Sequence, residues 1–285
     1  MREKALLFGD EKSLVGVVTD PDPSVEPRGR GLIILNAGVL HRVGPNRVHV
    51  KLARTLAASG FVALRFDFSG IGDSGRAAGS EAFVQRAVRE AMQAMDVLRQ
   101  SHGISEFVVV GICAGADYGL QVACRDPRVV GAVLIDGYNL TSLGMALYFY
   151  RWKLVNPWSW IRFLAGRSLT WSVVRNVTLN PSATRAVRAG AESMLPTRAE
   201  FVAQLRSLAE RGVELLLFYT GESPAYYNYR RLLRRGIGSW PSKQRVSVEH
   251  MADSDHVFTL RSNRERLVEL VCRWAERLSP RLGGQ

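Results

Sequence analysis

A chain of 285 residues with 47% hydrophobic side chains can bury a large core as one domain, or as one domain carrying an insertion, which excludes a disordered or fibrous chain. The formal charge of +12 is concentrated: from Arg151 to Arg245 there are 16 Lys+Arg against five acids (Glu192, Glu200, Glu210, Glu214, Glu222), a surplus of 11. Such a surface could attract an anionic membrane or an anionic acyl carrier. The plainer reading is an arginine-rich proteome, since only five of the 38 basic residues are lysines.

The start of the chain, residues 1–10, lacks the apolar run of a signal peptide, and no stretch approaches the length needed to cross a bilayer, so the protein is expected to be cytoplasmic, with peripheral contact at the inner face of the membrane as the role of the basic segment. The proline-rich run 21–27 is expected as an exposed turn between the two leading strands. Residues 31–36 (GLIILN) form an unbroken apolar run, 47–59 carry helical periodicity ended by Gly60, and 61–66 (FVALRF) is again a short apolar run. Residues 80–100 predict a long amphipathic helix, 106–111 a buried strand, 114–125 a helix and 129–135 the next strand. This is repeated β-α-β, whose continuous Val/Ile/Leu strands belong to a parallel sheet covered on both faces.

Between residues 138 and 211 that rhythm stops. The stretch holds Trp152, Trp158, Trp160, Trp171, a run of aromatics at Tyr148, Phe149 and Tyr150, and prolines at Pro157 and Pro181. It reads as a helical cap over the carboxyl ends of the strands, most of its aromatics forming its own core. The rhythm resumes with strands at 213–219 and 245–249 and closes with a helix over 263–278, so 1–137 and 212–285 make the α/β core.

Gly111, Ile112, Cys113, Ala114 and Gly115 spell G-x-C-x-G directly after the apolar run 107–110. That is a thiol version of the G-x-S-x-G elbow, in which a tight strand-to-helix bend holds the central nucleophile exposed. The three cysteines, Cys113, Cys124 and Cys272, are odd in number and lack C-x-x-C spacing, so neither a disulfide framework nor a metal site is indicated, and Cys124 and Cys272 are expected in the core. No cofactor motif is found.

With the elbow so placed, the chain resembles the α/β-hydrolases over nearly its whole length. Residues 35–47 (LNAGVLHRVGPNR) match the loop that supplies part of the oxyanion hole, 65–75 (RFDFSGIGDSG) is similar to the family's R-x-D-x-x-G-x-G-x-S segment, and 255–258 (DHVF) lie where the family places its histidine. The R-V-G loop, the RFD segment, the elbow and the phrase 157–166 (PWSWIRFLAG) further resemble bacterial hydrolases associated with exosortase systems. The family's loop histidine-glycine pair is replaced here by Ala37 and Gly38, which leaves the hole intact in principle because its donors are backbone N–H groups.

The resemblance implies an α/β-hydrolase fold and an acyl hydrolase, an esterase or thioesterase, working through a Cys-His-acid triad. Cys113 is the nucleophile and His256 the base; His250 is an alternative base, while His49 and His102 fall in or beside helices and are expected to be structural or exposed. A thiolate beside an imidazolium at a helix N-terminus has a depressed pKa. The oxyanion would be held by the N–H groups of Ala114 and of Val39, with Gly38 and His41 facing substrate.

The acid is open between Asp136, the first polar residue after the strand that follows the elbow, and Glu222, one residue past Gly221, where the family's usual position holds Pro224. Asp253 or Asp255 could instead orient the histidine. Asp67, Asp73 and Ser74 are read as structural, with Asp67 satisfying backbone donors. The competing activities are acyl transfer through the same thioester, and a non-catalytic binding module that kept the fold. The partner expected is a small acyl ester or thioester; nucleic acid is not expected, since the basic residues follow no recognition motif.

Overall fold

The structure is a computed structural model that describes residues 1–76, 80–137, 196–221 and 240–278. An eight-stranded sheet runs through it in the order β1-β2-β4-β3-β5-β6-β7-β8. The strands are β1 (Arg2–Phe8), β2 (Leu14–Asp20), β3 (Arg30–Ile34), β4 (Val62–Phe66), β5 (Glu106–Ile112), β6 (Val129–Ile135), β7 (Glu214–Thr220) and β8 (Val246–Met251). The β1/β2 and β2/β4 pairs are antiparallel and all others are parallel. Apart from the partly exposed edge strand β8, the parallel strands are the mostly apolar runs, buried along nearly their whole length because helices cover both faces.

Helices α1 (Val48–Ala58) and α5 (Arg261–Glu276) cover one face, where Leu52, Leu56, Phe218, Phe258, Val271 and Trp274 pack. Helices α2 (Phe83–His102), α3 (Ala114–Arg125) and α4 (Arg198–Glu210) cover the other, around Phe66, Leu98, Phe107, Leu120, Phe201 and Leu205. Each fully buried aliphatic or phenyl side chain contributes roughly 1.5–3 kcal/mol, so these two layers dominate the stability.

Two readings from the sequence change here. The proline-rich run does not join the leading strands: a turn at Gly9 (φ 75°) does that, and the run 21–27 connects β2 to β3 as a largely exposed segment. The end of the expected cap, α4, lies on the sheet as the crossover between parallel neighbours β6 and β7, with Phe201, Leu205 and Leu208 in the core. Thr197 opens α4 with a capping box, its hydroxyl accepting from Glu200 N–H while the Glu200 carboxylate accepts from Thr197 N–H at 2.6 Å. Residues 138–195 of the expected cap lie outside the described residues.

His49 is wholly buried in α1 beneath the loop that precedes the helix, and a Cβ on Gly44 would come within 2.5 Å of its ring. Apart from a weak approach to the Arg42 backbone, its ring nitrogens find no hydrogen bond among the described residues. Burial holds its pKa down to about 4, against 6.5 for the free side chain. The unfolded chain therefore binds the proton first: stability is complete above about pH 6.5 and falls as the pH drops toward about 4, a loss of about 3 kcal/mol from this group. Urea melts of the wild type and His49→Leu at about pH 7 and pH 4 check this, since the variant should lose that share of the acid sensitivity; equal sensitivity in both would refute it.

Candidate active site

Strand β5 delivers Cys113 to the top of the sheet in a strained conformation, φ 57° and ψ −126°, and α3 begins at the next residue. The flanking glycines are required by space. A Cβ on Gly111 would lie 2.1 Å from the Gly115 carbonyl oxygen, and one on Gly115 would lie 2.4 Å from the Asn36 carbonyl oxygen. The bend is further fixed by Cys113 N–H donating to Ile135 O at 2.8 Å and Ala116 N–H to Cys113 O at 2.9 Å. Such positive-φ residues cost of order 1–3 kcal/mol and persist where the surroundings over-determine them.

The neighbouring strand β6 ends at Ile135, and Asp136 turns through φ 47° with its N–H on Phe218 O at 2.9 Å. Its carboxylate is 1% exposed and accepts three hydrogen bonds, from Thr220 N–H at 2.8 Å, Thr220 Oγ1 at 2.7 Å and His256 Nδ1 at 2.8 Å. The other ring nitrogen of His256 is thereby left for the Cys113 thiol, which lies close enough to raise the ring's pKa. The three side chains form one chain of contacts, carboxylate to imidazole to sulfur.

Charge follows from that arrangement. The Asp136 hydrogen bond, helped by the contact with Cys113 and opposed by burial, pushes the His256 pKa up to about 10. The Cys113 thiol is lowered, first by the bond to His256 and then by the Ala114 backbone N–H, against burial and the nearby Asp117 carboxylate that raise it. Both shifts favour the ion pair of thiolate and imidazolium over the neutral pair.

The loop expected to supply part of the oxyanion hole, residues 35–44, meets the elbow where the Asn36 carbonyl lies against Gly115. Asn36 holds it: its Nδ2 donates to Leu40 O at 2.8 Å and to Asp67 Oδ1 at 3.1 Å, and its Oδ1 accepts from Phe68 N–H at 2.8 Å. Gly38 takes φ 59° with open space where a Cβ would be, and Val39 is 88% exposed. His41 is exposed and its Nδ1 accepts from Val43 N–H at 3.3 Å.

The remaining candidates take no part in the hydrogen bonds that join Thr220, Asp136 and His256. Asp253 pairs with Arg266 at 2.6 Å and Asp255 accepts from Thr259 N–H at 2.8 Å and from its hydroxyl at 2.5 Å, so both shape the loop rather than orient the ring. His250 lies on edge strand β8 with its pKa lowered by burial, and His102 faces Asp20 at 2.9 Å at the end of α2. Glu222 lies outside the described residues. Asp67, wholly buried, accepts from Asn36, Asp73 N–H, the Arg42 backbone and the Arg42 guanidinium, the structural part expected of it. Thr220 was not anticipated; the signal was a polar residue closing the apolar run of β7. Among the described residues no group of three His, Cys, Asp or Glu side chains could hold a metal ion, and no helix is long and apolar enough to cross a membrane.

Residues 32–172 match the family model for the alpha/beta hydrolase fold. A search of curated proteins finds no match. Solved structures similar over nearly the full chain include an esterase of Pyrococcus furiosus (TM-score 0.61, 14% identity, covering 98% of this chain and 92% of that one). A serine hydrolase without a lid from Xanthomonas campestris superposes at TM-score 0.57 with 15% identity, covering 99% and 97%. The proline iminopeptidase of Mycobacterium smegmatis gives TM-score 0.57 at 17% identity, covering 97% and 98%. At these identities the likeness is one of fold.

Proposed function

We propose, for a chain that has the α/β-hydrolase fold and carries sulfur at its elbow, that it is an acyl hydrolase, an esterase or thioesterase, acting through a thioester on Cys113. One observation carries this reading: His256 is hydrogen-bonded to the buried Asp136 carboxylate at 2.8 Å, and the ring and the Cys113 thiol are near enough for each to shift the other's charge.

In the first half-reaction the Cys113 thiolate attacks the acyl carbonyl carbon, and the carbonyl electron pair moves onto oxygen. Backbone N–H groups at Ala114 and in the loop at Gly38 and Val39 stabilise that oxyanion, each such donor being worth a few kcal/mol. As the oxyanion collapses, the bond to the leaving oxygen or sulfur breaks and His256 gives it a proton. In the second half-reaction His256 takes a proton from water, which attacks the thioester; release of the carboxylic acid restores thiolate and imidazolium. An amine in place of that water would make the enzyme an acyltransferase, which product analysis separates: free acid alone counts against transfer.

The test is alkylation by iodoacetamide across pH, with Cys113→Ala as the blank, beside hydrolysis of nitrophenyl esters of graded chain length. Alkylation near neutral pH is expected to be faster than for an ordinary thiol, whose pKa is about 8.5. Hydrolysis is expected to fall on the acid side as the thiolate is protonated, and on the alkaline side as His256 loses its proton near its pKa of about 10. A thiol that titrates like free cysteine, with no ester turnover above the blank, would favour a non-catalytic binding module.

A further inference from the structure

The mechanism leaves without a role a contact that spans the mouth of the site. Residues 44–47 join the oxyanion loop to α1, and Gly44 (φ 73°), Asn46 (φ 47°) and Arg47 (φ 64°) all take left-handed backbone. For Asn46 and Arg47 that conformation is unfavourable unless the surroundings impose it, and Asn is among the side chains that bear it best. The turn is pinned from below by buried Pro45 and by Gly44 against the His49 ring. From it, Asn46 Nδ2 donates to the Val257 carbonyl at 2.9 Å, across 211 positions of sequence.

Val257 directly follows His256. Behind it, Phe258 is wholly buried at φ 55° with its ring 6.1 Å from Phe218, and Gly221 N–H donates to Ser254 O at 3.1 Å. The histidine loop is thus fastened to the core behind and, through Asn46, to the oxyanion loop in front.

We propose that Asn46 is a positioning residue: its bond to Val257 locks the oxyanion loop and the His256 loop into one body, fixing the distance between the oxyanion donors and the proton-transferring ring. This rests on the acyl-enzyme reading above. In that chemistry, charge develops at the oxyanion donors while a proton leaves the imidazole toward the departing group, so both must be in register with one substrate. Asn46 touches no reacting atom and is exposed, so its replacement leaves the core intact.

Two variants test it with p-nitrophenyl butyrate. Asn46→Asp keeps the shape and the tolerance of left-handed backbone but turns an oxygen toward the Val257 carbonyl; Asn46→Gly relaxes the backbone and deletes the bridge. Both are expected to lower kcat about 10- to 100-fold, with KM within about twofold, because small misplacements of catalytic groups are costly. Iodoacetamide alkylation of Cys113 should keep its wild-type rate and pH profile, since the Asp136 contact that charges the ring is untouched. Wild-type kcat in either variant, a loss confined to KM, or a loss matched by slower alkylation would overturn the proposal. A wild-type enzyme no faster than Cys113→Ala would instead refute the acyl-enzyme reading, and this proposal with it.

Discussion

Asp136→Asn is expected to lower kcat for nitrophenyl esters by about 10³-fold or more, while Glu222→Gln leaves it near wild type. The reason is the tautomer that the carboxylate imposes. As it stands, Asp136 accepts from His256 Nδ1–H at 2.8 Å and is itself fixed by two bonds from Thr220. An asparagine would keep its carbonyl on Thr220 and turn an amide N–H₂ toward the ring, so that Nδ1 becomes an acceptor and the proton moves to the nitrogen facing sulfur. The ring could then neither take the thiol proton nor stay cationic beside a thiolate.

The loss should therefore show twice: in kcat, and in alkylation of Cys113 moving up to or beyond the pH range of an ordinary thiol, because burial and Asp117 both raise its pKa once the imidazolium is gone. Thr220→Val, which removes one of the three donors to Asp136, is expected to fall between the variant and the wild type. If Glu222→Gln rather than Asp136→Asn produced the loss, the acid would be misassigned while the Cys113–His256 pair stood.

Much of this site is legible in sequence because it sits where strands end. An apolar run stops at its first polar residue when the chain reaches the top of a buried parallel sheet, which marks Asp136 after β6, while the G-x-C-x-G spacing marks Cys113 after β5. Helix α3 begins at Ala114, as the elbow predicts, because the glycines at 111 and 115 are dictated by contacts of 2.1 and 2.4 Å that any Cβ would make. What is not legible is pairing at a distance. Asn46 and Val257 are joined only by the tertiary fold, and nothing local in G-P-N-R names a partner 211 residues away, although the left-handed tolerance of asparagine marks a turn. The placement of helix α4 is likewise not legible, since its T-x-x-E start at Thr197 and Glu200 is a local signal that belongs to any helix, cap or crossover.

Asp67→Ala is expected to lower the unfolding free energy by about 3–5 kcal/mol, read as a shift of the urea midpoint at unchanged slope. Asp67 is wholly buried, and its two oxygens collect donors from three directions: the Asn36 amide under the oxyanion loop, the backbone and guanidinium of Arg42 within that loop, and the Asp73 N–H of the glycine-rich turn. Gly72 exists for this packing, since a Cβ there would lie 2.3 Å from a carboxylate oxygen. Alanine would strand the backbone donors and leave Arg42, itself only 18% exposed, with Asp73 alone at 2.7 Å to balance its charge. Burying an unbalanced cation and orphaned N–H groups is far more expensive than losing a surface ion pair. Asp67→Asn should fall in between, because it keeps one acceptor oxygen but loses the charge. The same network holds Asn36 and Arg42, hence the loop beside Cys113, so the alanine variant should also lose the proposed acyl-hydrolase activity at denaturant concentrations where it remains folded. A change below about 1 kcal/mol would mean that water enters and replaces the carboxylate, and that the loop is held by Asn36 alone.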